Sequence, residues 1–136
     1  MQILRSLDEL ANSTKPSVVS VGNFDGVHLG HQVVLKSMVD RARGSGAQSA
    51  VVTFDPHPSH VLHSSRRTPL ITPLPQKLDL LAATGIDLAL VLEFNEELRR
   101  WSAREFAKFG SSSPSGGLWR FTGSRRGVTG LPASVR

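Results

Sequence analysis

The chain has 136 residues, which is the length of one domain of ordinary size. With 39% hydrophobic and 20% charged residues, and no apolar run near the roughly 20 residues of a spanning helix, its composition excludes a disordered polymer and a membrane span. The lack of cysteine excludes disulfides, thiolate catalysis and cysteine-ligated metal.

The net charge of +5 raises the question of nucleic-acid binding, and its distribution argues against it. Residues 110–136 contain four arginines and none of the 11 acidic residues, so residues 1–109 are almost neutral. We therefore expect no nucleic-acid partner. The N-terminal stretch mixes charges of both signs and has no apolar secretory core, so we expect a cytoplasmic location without membrane contact.

Three apolar runs predict strands at 17–24, 49–55 and 87–94. Their apolarity is nearly continuous rather than alternating, which is typical of parallel strands covered on both faces. Helical periodicity follows each strand, at 29–43, 76–83 and 102–109. This order of strands and helices predicts an α/β domain.

The first helix has a predicted apolar face made of Val33, Val34, Val39 and Ala42, with Leu35 and Met38 near it. The third helix opens with a serine and a glutamate three residues later, which is a capping box.

Two segments are expected to hold little regular structure. Residues 55–75 contain five prolines and three histidines, and we interpret them as a functional loop. The histidines at 57, 60 and 63 do not predict a metal site, because an irregular loop does not bring every third residue to one point. Residues 110–136 are rich in Gly, Ser and Arg, and no element is predicted there.

The segment GNFDGVHLGH, residues 22–31, joins the first predicted strand to its helix. A helix N-terminus directs free N–H groups and partial positive charge at an anion, and glycine lets the backbone approach it. His28 and His31 are three residues apart, so they share a face of the first turn and can donate hydrogen bonds to phosphate oxygens. The segment has neither the lysine of a Walker loop nor the glycine spacing of the dinucleotide fingerprint.

These residues resemble a known family. GNFDGVHLGH is similar to the G-x-F-D-G-x-H-x-G-H signature of the bacterial FAD synthetases, the FMN adenylyltransferases that are usually fused to a riboflavin kinase. TFDPHP at 53–58, the segment 70–87 and the F-x-x-E-L at 94–98 support the same resemblance, which covers roughly residues 16 to 109. It implies a Rossmann-like nucleotidylyltransferase fold with a parallel sheet.

The resemblance also implies the reaction ATP + FMN giving FAD + pyrophosphate, with Mg²⁺ whose ligands are unknown. His28 and His31 would be the catalytic residues. The implied ATP-binding residues are Gly22, Asn23, Phe24, Asp25, Gly26, His28, Gly30 and His31. The implied flavin-binding residues are Phe54, Asp55, Pro56, His57 and Pro58. Lys77, Arg66 and Arg67 could attract the FMN phosphate, but we expect them to be solvated.

The family pattern is not followed beyond Phe109. Family members continue with a further strand, a G-x-N-F-x-F-G segment and a Ser/Thr-rich segment, whereas residues 110–136 match none of these. We interpret 1–109 as a partial FMN adenylyltransferase domain, incomplete at its C-terminal end, and 110–136 as a disordered or frame-shifted tail. Weak or absent adenylyl transfer is therefore expected.

Two alternatives remain open at this point. One is a nucleotide- or flavin-binding fragment without catalysis. The other is a different H-x-G-H nucleotidylyltransferase, such as a cytidylyltransferase or pantetheine-phosphate adenylyltransferase, against which TFDPHP argues. The sequence does not indicate an oligomeric state.

Overall fold

A computed structural model describes residues 1–6, 8–9, 12, 15–56, 69, 71–100 and 120–121. The described strands are β1 Gln2–Leu4, β2 Ser17–Val21, β3 Gln48–Phe54, β4 Leu88–Leu92 and β5 Arg120–Phe121. The described helices are α1 Leu29–Gly44, α2 Leu74–Ala83 and α3 Glu96–Arg100, and a 3-10 turn spans Asp25–Val27.

The five strands form one parallel sheet in the order β1-β4-β3-β2-β5. Strand β2 therefore lies between β3, which follows it in the chain, and β5, which is formed much later. In open α/β sheets, ligands bind outside the carboxyl ends of the strands where the strand order reverses in this way. The topology directs attention to the residues that follow β2.

The core lies on both faces of the sheet, because successive strand residues point to opposite sides. On one face, α1 and α2 pack against the sheet through Leu35, Met38 and Leu81, each almost fully buried. On the other face, strand residues such as Val19 and Leu90 form a second cluster, against which Leu98 of α3 packs. The near-continuous apolarity of the strands is explained by this double coverage.

Asp87, which precedes β4, links β4 to β3 at the amino edge of the sheet. Its carboxylate accepts hydrogen bonds from the backbone N–H of Ser49 at 2.8 Å and from the Ser49 hydroxyl at 2.7 Å. Burial by itself would raise the pKa of Asp87, but these two bonds and the charges of Arg43 and the amino terminus outweigh it and lower the pKa.

The α/β class and the parallel sheet are confirmed, and the three predicted strands are present. The first and third are shorter than predicted, and the second is shifted by one residue toward the N-terminus. The predicted helix 76–83 begins earlier, at Leu74, with Pro75 in its first turn. The sequence did not predict β1, nor the two-residue strand β5 within the tail. The predicted helix 102–109 lies outside the described residues, as does most of the loop 55–75.

The predicted apolar face of α1 is half wrong. Val39 and Ala42 are buried as predicted, but Val33 and Val34 are 69% and 43% exposed. The buried stripe is formed instead by Leu35, Met38, Val39 and Ala42. At 100° per residue, Val33 points almost directly away from this stripe.

In the described part of the chain, no helix combines the length and apolarity needed to cross a membrane.

Candidate active site

The candidate site lies at the carboxyl edge of the sheet, where β2 and β3 end side by side. Val21 pairs with Val52, and the N–H of Gly22 donates to the carbonyl of Val52 at 3.0 Å. Phe54 ends β3 two residues further on, and the next N–H, of Asp55, donates to Leu92 of β4 at 2.9 Å. Residues 22–31 and 54–56, which sequence analysis assigned to ATP and flavin, therefore lie at one edge.

The turn after β2 has an unusual backbone. Phe24 (φ 50°), Gly26 (φ 76°) and Val27 (φ 40°) all adopt left-handed conformations. Only glycine adopts this region without strain. At Gly26 a Cβ would also lie 3.2 Å from the exposed side chain of Ile71, which would have to shift. Phe24 and Val27 are only 4% and 1% exposed, and the burial of these apolar side chains offsets their strain.

Asp25 fixes this turn to the segment before α2. Its carboxylate accepts hydrogen bonds from the N–H groups of Ile71 and Thr72, at 3.0 to 3.1 Å, and from the Thr72 hydroxyl at 3.2 Å. The Thr72 hydroxyl in turn accepts the N–H of Gly26 at 3.1 Å. Asp25 therefore positions the turn; its contact with ATP stays a prediction.

His28 and His31 are brought together at the start of α1, as their spacing predicted. Their rings stack, with centroids 3.9 Å apart and planes inclined by 20°. His31 also makes an edge contact with Phe24, at 5.3 Å between ring centroids. His28 is exposed and His31 is half-buried, so the pair presents one ring to solvent and is supported from below by the buried Phe24.

The surroundings of the inner histidine, His31, disfavour its charged form. The pKa of His31 lies below the ordinary value of 6.5, first because burial disfavours the charged form and then because His28 lies beside it, while Asp25 acts in the opposite direction. Its Nδ1 is buried and has no hydrogen-bond partner. Because native proteins leave few such atoms unpaired, this ring is a candidate for a functional role. An anion at the pair would raise this pKa.

Sequence reasoning missed Lys77, which was expected to be solvated. The residue is 5% exposed, and its ammonium group donates to the carbonyl of Asn23 at 3.1 Å, the hydroxyl of Thr53 at 3.0 Å and the carbonyl of Phe54 at 3.3 Å. Burial lowers the pKa of Lys77, and Asp55 and Asp25 oppose that shift. One signal was available: Lys77 lies three residues after Leu74 and four before Leu81, within the apolar stripe of α2.

The residues predicted to contact flavin begin with Phe54, the last residue of β3. The Phe54 ring packs edge to face on Phe94, with centroids 5.6 Å apart. Asp55 and Pro56 follow through a cis peptide bond and are exposed. Phe94, which follows β4, was not predicted to belong to this site. His57 and Pro58 lie outside the described residues.

The family model for FAD synthetase matches residues 10–109. The chain belongs to the FAD synthetase family. Bifunctional riboflavin kinase/FMN adenylyltransferases are similar to it in sequence. That of Listeria monocytogenes is 43% identical over 65% of this chain and 29% of its own length, and that of Pseudomonas fluorescens is 41% identical over 78% and 34%. The chain thus spans about a third of these relatives.

A solved structure supports the fold. The crystal structure of a macrolide-efflux protein from Streptococcus pneumoniae superposes with a TM-score of 0.71 over 88% of this chain and 41% of its own. Because the two sequences are 22% identical, the likeness concerns the fold alone. It is compatible with the Rossmann-like architecture expected for an FAD synthetase.

Magnesium, which the FAD synthetase family implies, has no cage of protein ligands among the described residues. That part of the chain contains no group of three or more His, Asp or Glu side chains able to hold a metal ion. The carboxylate nearest the turn, Asp25, accepts the hydrogen bonds of residues 71–72. The described residues therefore do not fit a dedicated magnesium site.

Proposed function

We propose that this chain carries the nucleotide-binding part of an FMN adenylyltransferase, which transfers AMP from ATP to FMN to give FAD and pyrophosphate. Family membership supports the reaction. In this chain, the observation that supports the reaction is that the proposed ATP-side and flavin-side residues lie at the same carboxyl edge of the sheet. The stacked His28 and His31 follow β2, and the proposed flavin-side residues begin with Phe54 at the end of the neighbouring β3. The ATP and the flavin can therefore meet without crossing the sheet.

In the proposed reaction, an oxygen of the FMN phosphate attacks the α-phosphorus of ATP. The bond from that phosphorus to the oxygen bridging to the β-phosphate breaks, and pyrophosphate leaves with the electron pair. The FMN phosphate is already ionised near pH 7, so the attack needs no general base. The protein's contribution is to hold the two phosphates in line and to neutralise developing charge.

Each site residue then has a chemical task. The free N–H groups at the start of α1 and the imidazoles of His28 and His31 donate hydrogen bonds to the phosphates of ATP. Burial and the neighbouring His28 lower the pKa of His31, and an anion bound beside the ring would favour its protonated form. Phe54 and the following residues form the wall against which the flavin binds.

A second function is favoured by the length of the match. The family model ends at residue 109 and the chain spans 29% of the relative from Listeria monocytogenes. We therefore propose that the chain on its own binds ATP or FMN and transfers AMP weakly or not at all. The relatives are also named as riboflavin kinases, an activity that produces FMN. We propose that a riboflavin kinase supplies the FMN here too. A cytoplasmic location stays a prediction.

The test uses the purified full chain with ATP, FMN and Mg²⁺. FMN binding is measured by flavin fluorescence, ATP binding by calorimetry, and turnover by chromatography of FAD together with pyrophosphate release. We expect saturable binding of both ligands that is lost in the double variant His28→Ala/His31→Ala. Binding of CTP in preference to ATP, or no binding of flavin, would contradict the proposal.

A further inference from the structure

We propose that Lys77 is the positioning residue that sets the distance between the ATP-side turn and the flavin-side segment. The inference rests on the proposed function, because it assigns those two segments to the two substrates. In this proposal Lys77 contacts neither substrate. It acts through the two backbone segments that contact the substrates.

The geometry of the ammonium group is the first step. Lys77 extends from the first turns of α2 and is 5% exposed, and its three donors meet three oxygen acceptors. One acceptor, the carbonyl of Asn23, lies where β2 turns toward the histidines. Another, the carbonyl of Phe54, lies where β3 turns toward Asp55. The third is the hydroxyl of Thr53.

The second step is that these acceptors are linked to one another. The hydroxyl of Thr53 donates to the carbonyl of Asn23 at 3.0 Å, so it accepts from Lys77 and donates across to β2. Parallel ladder bonds hold β2 and β3 together as far as Val21 and Val52. Beyond that point, the bond from Gly22, the Thr53 hydroxyl and the Lys77 ammonium connect the two chain segments.

The third step concerns what a buried ammonium costs. Removing a cation from water is unfavourable, and the three bonds of the Lys77 ammonium compensate that cost. All three acceptors lie on the two segments that carry the predicted site residues, which makes lysine at this position a link between them. It is well explained if the two turns need a fixed separation, since small displacements of reacting groups are costly for group transfer.

The experiment compares Lys77→Met, which keeps the length of the side chain and removes its donors, with Lys36→Met on the exposed face of α1 as the matched control. Amide hydrogen exchange in the ligand-free chain is the first readout. We expect exchange at Gly22, Val27 and Asp55 to become about tenfold faster in Lys77→Met, with the β1–β4 ladder unchanged. Unchanged exchange at these amides, or faster exchange on one side only, would overturn the inference.

Ligand affinity is the second readout. In Lys77→Met we expect the Kd values for ATP and for FMN both to rise about tenfold at a temperature where circular dichroism shows the variant folded, and Lys36→Met to leave both unchanged. Unchanged Kd values in Lys77→Met would overturn the inference. If the unsubstituted chain binds neither ligand, the proposed function fails, and the exchange comparison still decides the role of Lys77.

Thr53→Val keeps the test decisive if Lys77→Met does not fold. This substitution preserves the shape of the side chain and removes the hydroxyl that links Lys77 to Asn23. We expect the same amides to exchange faster, by a smaller factor than in Lys77→Met. Exchange identical to that of the unsubstituted chain would contradict the proposal.

Discussion

The two imidazoles at the start of α1 stack face to face, with 3.9 Å between ring centroids, instead of spreading apart. After burial, the closeness of His28 is the second cause of the lowered pKa of His31, because two like charges at that separation repel each other. This makes the pair responsive to whatever negative charge approaches it.

The lowered pKa of His31 predicts how stability depends on pH. The unfolded chain takes up a proton at this residue near pH 6.5, whereas burial and His28 make the folded chain resist it. The contribution of His31 to the free energy of unfolding is therefore fully present above about pH 6.5. It is lost as the pH falls from there to the lowered folded-state pKa.

His31→Gln removes this contribution and keeps a polar side chain. Between about pH 7.5 and 5.5, we expect the Tm of the unsubstituted chain to fall further than that of the variant. Thermal unfolding followed by circular dichroism measures this. Equal losses in the two proteins would show that His31 is protonated alike in the folded and unfolded chain.

A substitution at Gly30 distinguishes an effect on ligand binding from an effect on stability. A Cβ at Gly30 would meet nothing within 4 Å, and the same is true of Gly44 at the other end of α1. Alanine is the better helix former by about 0.5–1 kcal/mol, so neither Gly30→Ala nor Gly44→Ala should lower the Tm.

Only Gly30→Ala places a methyl group between the residues proposed to hold phosphate. We expect it to raise the Kd for ATP about tenfold while Gly44→Ala leaves the Kd unchanged, as measured by calorimetry. If both variants bind ATP like the unsubstituted chain, phosphate does not approach the start of α1.

At the scale of elements, α1 is held by one narrow stripe, and its outward face is also apolar. Leu35 is fully buried, whereas Leu29 and Val33 are 78% and 69% exposed. The number of apolar residues on each face of α1 does not show which face is buried. That depends on how the helix is rotated about its axis relative to the sheet.

Leu35→Ala and Val33→Ala test that phase directly. The first opens a cavity in the core and should lower the free energy of unfolding by about 2–5 kcal/mol. The second removes exposed methyl groups and should change it by no more than about 0.5 kcal/mol. Denaturant unfolding measures both. A larger loss in Val33→Ala would mean that the helix is rotated from the orientation described here.

The connections between elements were the least predictable part of the site. The strand-to-helix turn and its two histidines were visible in sequence because glycines and chain order mark them. The hydrogen bonds of Asp25 and Lys77 join residues 23 to 54 positions apart, and no local pattern encodes such pairs. The left-handed Phe24 and Val27 were equally hidden, since neither residue type favours that conformation.

At the scale of the whole molecule, the sheet has two chemically different edges. The carboxyl edge carries the histidine pair and the flavin-side residues, and the amino edge is joined by the bonds between Asp87 and Ser49. Hydrophobic runs were sufficient to predict the parallel sheet. The three-residue strand β1 was not predicted, because such a short segment has no period to recognise.

This division predicts where ligands protect the chain. With ATP and FMN added together, amide exchange should slow at 22–31 and 54–56 and remain unchanged at 45–48 and 84–87. Mass spectrometry of peptides from the exchanged chain measures this, with an unrelated sugar nucleotide as the control ligand. Protection at the amino edge would place the binding site elsewhere.

The pairing of Gln2 with Leu88 determines the order in which the chain can be assembled during synthesis. Strand β1 has no neighbour to pair with until β4, which follows β2 and β3 in the chain, has been made. Meanwhile β2, α1 and β3, which are adjacent in sequence, close the shortest loop and are the natural nucleus. The turn that carries the histidine pair can therefore form early, whereas the pairing of β1 with β4 comes later and at the side of the sheet farthest from that turn.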